Sequence, residues 1–416
     1  MRPLRILWVI ALLTSCATKP AGPPPTAPAP TGALALEAGL TPGERAVATR
    51  LAPAIAACER GDLPACTKLA QRLSYSTNRR EDARLGAALA KGCAAKVSIA
   101  CDAEAVTLAH GHGGKDGVAR GLARLETSCG AGSGYACAHL SEIEMRGQLV
   151  PDKKDTGKKL ATASCEKLGG YPCLPAISAL PAGADPALRT ALAQRACDGG
   201  DAMGCYELGL DVANPDGPAT PDQARATALY EKACAQDFGQ ACFNLAWQFL
   251  RGTGAPKDEQ RGRALLVTSC ELGDPSGCDE LARRDGDAQK YCDLWGAEAC
   301  YTVAAELAQK RGETADTAEA LVTAGTRAAN RGSAAGLNVM SHLLKDNKRW
   351  CAANDNVKDS CTFAGLLYAA WMDDAPEGSD DRAESRKQAV EALAKACGAG
   401  AQPACAAKAR VEAQRP

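Results

Sequence analysis

Small apolar residues recur along this chain at helical spacing. Ala224-x-x-x-Ala228-Leu229-x-x-x-Ala233-Cys234 lines one face of a helix, and comparable segments precede most of the other first cysteines of a pair. The segment opens with Thr220-Pro221-Asp222-Gln223, which has the pattern of a capping box. Glycine three residues past the cysteine, at Gly61, Gly132, Gly200, Gly273 and Gly400, predicts where such helices stop. A second helix follows. It carries a second cysteine, preceded by a small residue (Ala65, Ala100, Ala136, Gly204, Ala241, Gly277, Ala299) and followed by leucine three positions later at Leu69, Leu140, Leu208, Leu245 and Leu281. The chain therefore predicts tandem helix-turn-helix units, beginning at the capping box Thr41-Pro42-Gly43-Glu44.

The cysteines set the register. Of 21, twenty fall into the pairs Cys58/Cys66, Cys93/Cys101, Cys129/Cys137, Cys165/Cys173, Cys197/Cys205, Cys234/Cys242, Cys270/Cys278, Cys292/Cys300, Cys351/Cys361 and Cys397/Cys405. All but Cys351/Cys361 have the spacing Cys-x7-Cys, and the pairs recur about every 36 residues, the signature of a solenoid. Zinc sites use shorter separations and usually recruit histidine, and haem attachment needs Cys-x-x-Cys-His, so neither pattern is present. Across a tight turn this spacing sets two cysteines on facing helices, so each pair is expected to staple one hairpin.

The extreme N-terminus has a different character. Arg2 and Arg5 precede the apolar run Ile6 to Leu13, which ends in Leu13-Thr14-Ser15-Cys16. This resembles a bacterial lipoprotein signal, which implies cleavage before Cys16, lipidation of its thiol and acylation of its new amino terminus. Ala17 rather than Asp after the cysteine implies the outer membrane. Export into an oxidising compartment agrees with the pairing of the remaining twenty cysteines. Residues 1–15 are thus expected to be a signal peptide and 16–40, with Pro20, Pro23, Pro24, Pro25, Pro28 and Pro30, an extended tether. The repeat array is placed at 41–410 and a tail at 411–416.

The unit Ala-Cys-x-x-Gly-x3-(Ala/Gly)-Cys-x-x-Leu, with a Gly-rich loop such as Arg251-Gly252-Thr253-Gly254, resembles the Sel1-like repeat, and specifically its disulfide-bridged, Helicobacter cysteine-rich branch. The similarity covers residues 43 to 410. It implies an all-α fold, a right-handed α/α solenoid of disulfide-stapled hairpins related to tetratricopeptide repeats, with a concave face that binds a protein or peptide. The groove-lining position of that family, two residues after the second cysteine, is occupied here by Lys68, His139, Glu207 and Asn244, with Trp247 and Arg251 on successive turns beyond Asn244. Glu207, Asn244 and Trp247 are the candidate partner-binding residues.

Composition narrows the alternatives. A 46% hydrophobic chain with 4% aromatic residues must build its core from Ala and Leu. A formal net charge of −1 without a strongly basic patch disfavours nucleic acid as a partner. The alternative function is an envelope hydrolase with weak β-lactamase or penicillin-binding activity, for which Ser164-Cys165-Glu166-Lys167 supplies a Ser-x-x-Lys match. Its companion motifs are missing and Cys165 belongs to a pair, so no catalytic residue is assigned. His110-Gly111-His112-Gly113-Gly114 reads as a solvated loop and the acidic stretch Asp373, Asp374, Glu377, Asp380, Asp381 lacks calcium-loop spacing, so no metal or cofactor is expected.

Irregularity is expected toward the C-terminus. Only 22 residues separate Cys270 from Cys292, which predicts a truncated unit, and Ala329 and Leu337 stand where a bridge would be.

Overall fold

The computed structural model describes residues 41–414 apart from 76–78, 111–113, 148, 151–152, 182–183, 215–220, 312–313, 332, 355 and 375–379. The expected signal, Cys16 and the tether lie outside the described residues. So do Thr220, His112 and Glu377. The described elements are all α-helices, and the chain divides into two compact units, Leu40–Gly296 and one beginning at Ala297.

The first unit holds seven hairpins: α1 (Pro42–Glu59) with α2 (Leu63–Tyr75), α3 (Arg79–Ala94) with α4 (Ser98–Ala109), α5 (Gly114–Gly130) with α6 (Gly134–Arg146), α7 (Lys154–Leu168) with α8 (Cys173–Ser178), α9 (Pro186–Asp198) with α10 (Ala202–Ala213), α11 (Gln223–Cys234) with α12 (Gly239–Arg251), and α13 (Glu259–Glu271) with α14 (Pro275–Asp285). A two-turn helix, α15 (Ala288–Leu294), follows and is the truncation that the short cysteine interval predicts.

Each of the seven hairpins is closed by its own bridge: Cys58–Cys66, Cys93–Cys101, Cys129–Cys137, Cys165–Cys173, Cys197–Cys205, Cys234–Cys242 and Cys270–Cys278, with Cα–Cα distances of 4.3–4.7 Å. The second cysteines sit inside the hairpins. Cys137, Cys205 and Cys242 are buried, and their sulfurs lie 3.5, 3.6 and 3.7 Å from the carbonyls of Cys129, Cys197 and Cys234. Bridged and enclosed, these three sulfurs hold the first helix against the second and are committed to packing rather than to a ligand. Cys292 and Cys300 are also disulfide-bonded.

One turn geometry repeats. The N–H three residues past the first cysteine donates to that cysteine's carbonyl, and the next N–H donates to the carbonyl before it: Gly132 to Cys129 at 2.9 Å and Ser133 to Ser128 at 2.9 Å, or Gly200 to Cys197 and Asp201 to Ala196 at 3.0 Å each. This requires a left-handed residue, and Gly61, Gly132, Gly200, Gly273 and Gly400 have φ between 84° and 95°. Where glycine is missing, Lys96, Asp237 and Asn354 adopt φ of 66°, 62° and 56°. The next residue often caps the second helix, as Asp201 does by accepting from Gly204 N at 2.7 Å.

The small residue before the second cysteine is explained by the same turn. A Cβ on Gly204 would overlap the Ala196 methyl and one on Gly277 would meet Ser269, so the helices can approach closely enough for the bridge only with little or no side chain there. The core is built of alanine and leucine, with Leu69, Leu85, Leu89, Leu125, Leu208, Leu266 and Leu281 fully buried. One capping expectation shifts: α11 starts at Gln223 with Asp222 as its cap, accepting from Arg225 N at 2.9 Å.

The second unit contains α16 (Ala297–Arg311), α17 (Ala315–Asn330), α18 (Ala334–Ala352), α19 (Val357–Asp374), α20 (Asp380–Gly398) and α21 (Gln402–Ala413). The register of the bridge-less hairpin is kept, since Ser333 N donates to Ala328 O at 2.9 Å and the Ser333 hydroxyl caps Gly336 N. Its second helix, α18, then runs on to Cys351 and serves as the first helix of the next, bridged hairpin, Cys351–Cys361. That sharing removes the inter-unit loop and accounts for the irregular spacing. Cys397–Cys405 staples α20 to α21, and Val411 is buried within α21.

Candidate functional site

Second helices make the more continuous row in the first unit. α2, α4, α6, α8 and α10 touch in succession and α12 touches α14, whereas among first helices α1 packs on α3 and α7 on α9. The candidate residues lie along this row of second helices.

At its N-terminal end the first unit packs on its own later repeats. α1 packs on α13 and α15, and a Cβ on Gly43 would overlap the Leu294 carbonyl and the Trp295 ring. Asp237, 10% exposed at its left-handed position, receives Arg50 Nε at 3.1 Å and the Lys68 ammonium. Arg50 also reaches Glu271 at 3.6 Å, and Arg72 donates to Leu272 O at 2.9 Å. These contacts join residues about 170 to 220 positions apart, and Lys68 is committed to them rather than to a ligand.

His139 is likewise enclosed. It is 6% exposed, its Nε2 lies 2.9 Å from Ser74 Oγ and 3.2 Å from the Tyr171 hydroxyl, and the Tyr135 ring sits 4.5 Å away. Burial, with smaller contributions from His110 and Arg146, lowers its pKa to about 3, so the imidazole is neutral. Burial raises both tyrosines well above their ordinary value. This cluster pins α2 to α6 and to the turn before α8, and its polar atoms are turned on one another.

The remaining stretch, from α10 to α14, carries all three candidates. Glu207, half-buried on α10, pairs with Arg189, which also lies 3.7 Å from Asp211. Asn244 on α12 lies beside Tyr206 and Tyr230, whose hydroxyls are each pushed up to about 12, chiefly by burial, with Asn244 acting in the opposite direction. Trp247, one turn along the same face, meets Phe243 edge-on at 6.2 Å. The Arg251 guanidinium stacks 4.4 Å from the indole centroid and that of Arg284 lies at 5.9 Å. Glu280, at the equivalent position of α14, is 9% exposed and holds Arg284 Nε at 2.6 Å and Arg283. Sequence reasoning passed over Glu280 and Asp237. Both carried a signal: Glu280 stands two residues past Cys278, and Asp237 replaces a turn glycine.

The serine motif and the loop histidine have other surroundings. Ser164 is buried in α7 beside a bridged cysteine while Lys167 is exposed, so the two do not face one another. His110 ends α4 with Nδ1 2.8 Å from Val106 O. Among the described residues no three His, Cys, Asp or Glu side chains group as metal ligands, and no helix is long and apolar enough to cross a membrane.

Comparison with known proteins identifies the repeat. The Sel1 repeat matches residues 202–238 and 239–274, the two stretches that bear Glu207, Asn244 and Trp247. The chain is similar in structure to a protective antigen of uropathogenic Escherichia coli strains displaying an SLR fold, with 14% identity over 83% of this chain and 79% of that one and a TM-score of 0.41. It is similar also to a Sel1 repeat protein from Oxalobacter formigenes, with 16% identity, coverage of 46% and 80%, and a TM-score of 0.40. Helicobacter pylori cysteine rich protein B shares 23% identity over 32% of this chain and 97% of that one, with a TM-score of 0.26. No curated protein matches the sequence.

Proposed function

We propose that this chain is a lipid-anchored scaffold of the cell envelope that holds an extended segment of another envelope protein against the α10–α14 stretch of its second-helix row. Sel1 repeats are protein-interaction modules, and the matched repeats coincide with that stretch. Disulfides at every regular hairpin suit an extracytoplasmic, oxidising compartment. Anchoring at the outer membrane rests on the charged, apolar and Leu-x-Ser-Cys regions of residues 1–16, with Cys16 as the lipidated residue.

The observation that carries the binding site is the pairing of half-buried Asn244 and Trp247 on one face of α12 in a chain with five tryptophans. An asparagine amide has four hydrogen-bonding sites, more than the two neighbouring tyrosine hydroxyls can occupy, which leaves capacity for a backbone peptide group. An indole supplies apolar area at small entropic cost, and such residues dominate binding energy in grooves. Glu207, on the preceding second helix, extends the stripe. Replacing Asn244 and Trp247 together by alanine is expected to abolish co-purification of the partner from solubilised envelopes without changing the helical circular dichroism. Undiminished recovery with the folded double variant contradicts the site. Mass spectrometry of the mature N-terminus tests the anchor, which requires a diacylglyceryl-modified Cys16.

A further inference from the structure

We infer that the Trp247–Arg251–Arg284 patch selects for acidic character in the segment that it docks, the carboxylates of an extended protein strand being taken by the two guanidinium groups. This deepens the proposed function by assigning the partner's chemistry. It rests on which charges of the stripe are already satisfied. Glu207 and Asp211 share Arg189, so the acidic end of the stretch is partly neutralised within the chain. Arg251 is exposed and has no carboxylate partner among the described residues. Its guanidinium lies over the Trp247 ring, a contact that does not use up its N–H donors.

Arg284 is held in a complementary way. Its Nε is engaged by Glu280, which fixes the guanidinium plane, while its terminal nitrogens make no hydrogen bond among the described residues. Glu280 is shared with Arg283, so one carboxylate serves two arginines and the patch retains positive charge even before Arg251 is included. Two oriented guanidinium groups beside an indole match a strand that alternates carboxylates with apolar or neutral side chains. A cationic strand laid on this patch would have to approach Arg251, Arg283 and Arg284.

The test uses fluorescence anisotropy of a fluorescein-labelled octa-glutamate peptide, with octa-lysine as its counterpart, on the full chain at about 50 mM NaCl, where screening is modest. Octa-glutamate is expected to bind about tenfold or more tighter than octa-lysine. Arg251→Ala/Arg284→Ala should weaken it by about tenfold or more, with the disulfide map and helical spectrum retained. Arg251→Lys, which keeps the charge at the helix end but loses the flat stack and the paired donors, should recover only part of that loss. Absent octa-glutamate binding, equal binding by the double alanine variant, or preference for octa-lysine would each overturn the inference. None of these results bears on co-purification of the partner by Asn244 and Trp247, so the wider reading stands or falls on that experiment separately.

Discussion

Replacing Asp237 by alanine tests the contact that returns α1 and α2 onto the α11–α13 region. The carboxylate is 10% exposed and takes Arg50 Nε at 3.1 Å and the Lys68 ammonium, whose own side chains are 33% and 40% exposed. A hydrogen bond to a charged group contributes roughly 1.5–3 kcal/mol when sequestered, and ion pairs this open to water are worth less than about 1 kcal/mol each. The truncation should therefore cost about 2 kcal/mol locally, because the two cations regain water once released. Asp237 also has φ of 62°, a conformation that costs a non-glycine residue roughly 1–2 kcal/mol. Asp237→Gly loses the same ion pairs but relieves that strain, so it should be about 1 kcal/mol milder than Asp237→Ala. The assay is hydrogen exchange of α1 and α2, since a repeat array opens in parts rather than as one unit. About 2 kcal/mol corresponds to roughly thirtyfold faster exchange there for the alanine variant. About 1 M NaCl, which shortens screening to about 3 Å, should narrow the gap from wild type. Unchanged protection of α1 and α2 in the alanine variant, or a glycine variant more affected than the alanine one, would refute the reasoning.

Other outcomes follow from the bridges and the buried histidine. The hairpin of α17 and α18, which lacks a bridge, should exchange faster around residues 320–345 than the α11–α12 hairpin stapled by Cys234–Cys242, and equal protection contradicts this. Because its turn keeps the register, Ala329→Cys/Leu337→Cys should oxidise to a new intra-hairpin disulfide, worth at most roughly 2.5 kcal/mol by loop entropy. Non-reducing peptide mapping should recover the sequential pairs, Cys129–Cys137 and Cys197–Cys205 among them, and a Cys58–Cys101 peptide would break the register. His139 is neutral when folded, with its pKa lowered from 6.5 to about 3, so the unfolded chain binds the extra proton as pH falls. Its contribution is unaffected above about pH 6.5 and stability is lost below it, by about 1.4 kcal/mol per unit, down to about pH 3. His139→Gln should flatten the denaturation profile in that window, and an unchanged slope removes His139 as its cause.

Local rules made the hairpins legible in the sequence. Cysteine spacing, the glycine three residues on and the small residue before the second cysteine all belong to one turn, and each is a short-range steric requirement. Lys96 and Asp237 show that the turn persists where its glycine does not. What the pattern could not convey was pairing between distant hairpins. Lys68 and His139 share the register of Asn244, yet one is taken up by Asp237 and the other is enclosed by Ser74, Tyr135 and Tyr171. Equivalent repeat positions therefore differ in availability according to where along the array they fall, and that depends on pairing between distant hairpins, which no single repeat encodes. The sharing of α18 between two hairpins was visible only as altered spacing, because a continuous helix has no turn residue to mark the join.

Site-specific photocrosslinking with p-benzoylphenylalanine at position 247, in the native cells, addresses the binding account most directly. The account predicts a discrete protein adduct from position 247 and none from position 232, which lies on the first helix α11. The adduct should disappear when Asn244→Ala and Arg251→Ala are added. No adduct at 247, or equal adducts at 247 and 232, would contradict it.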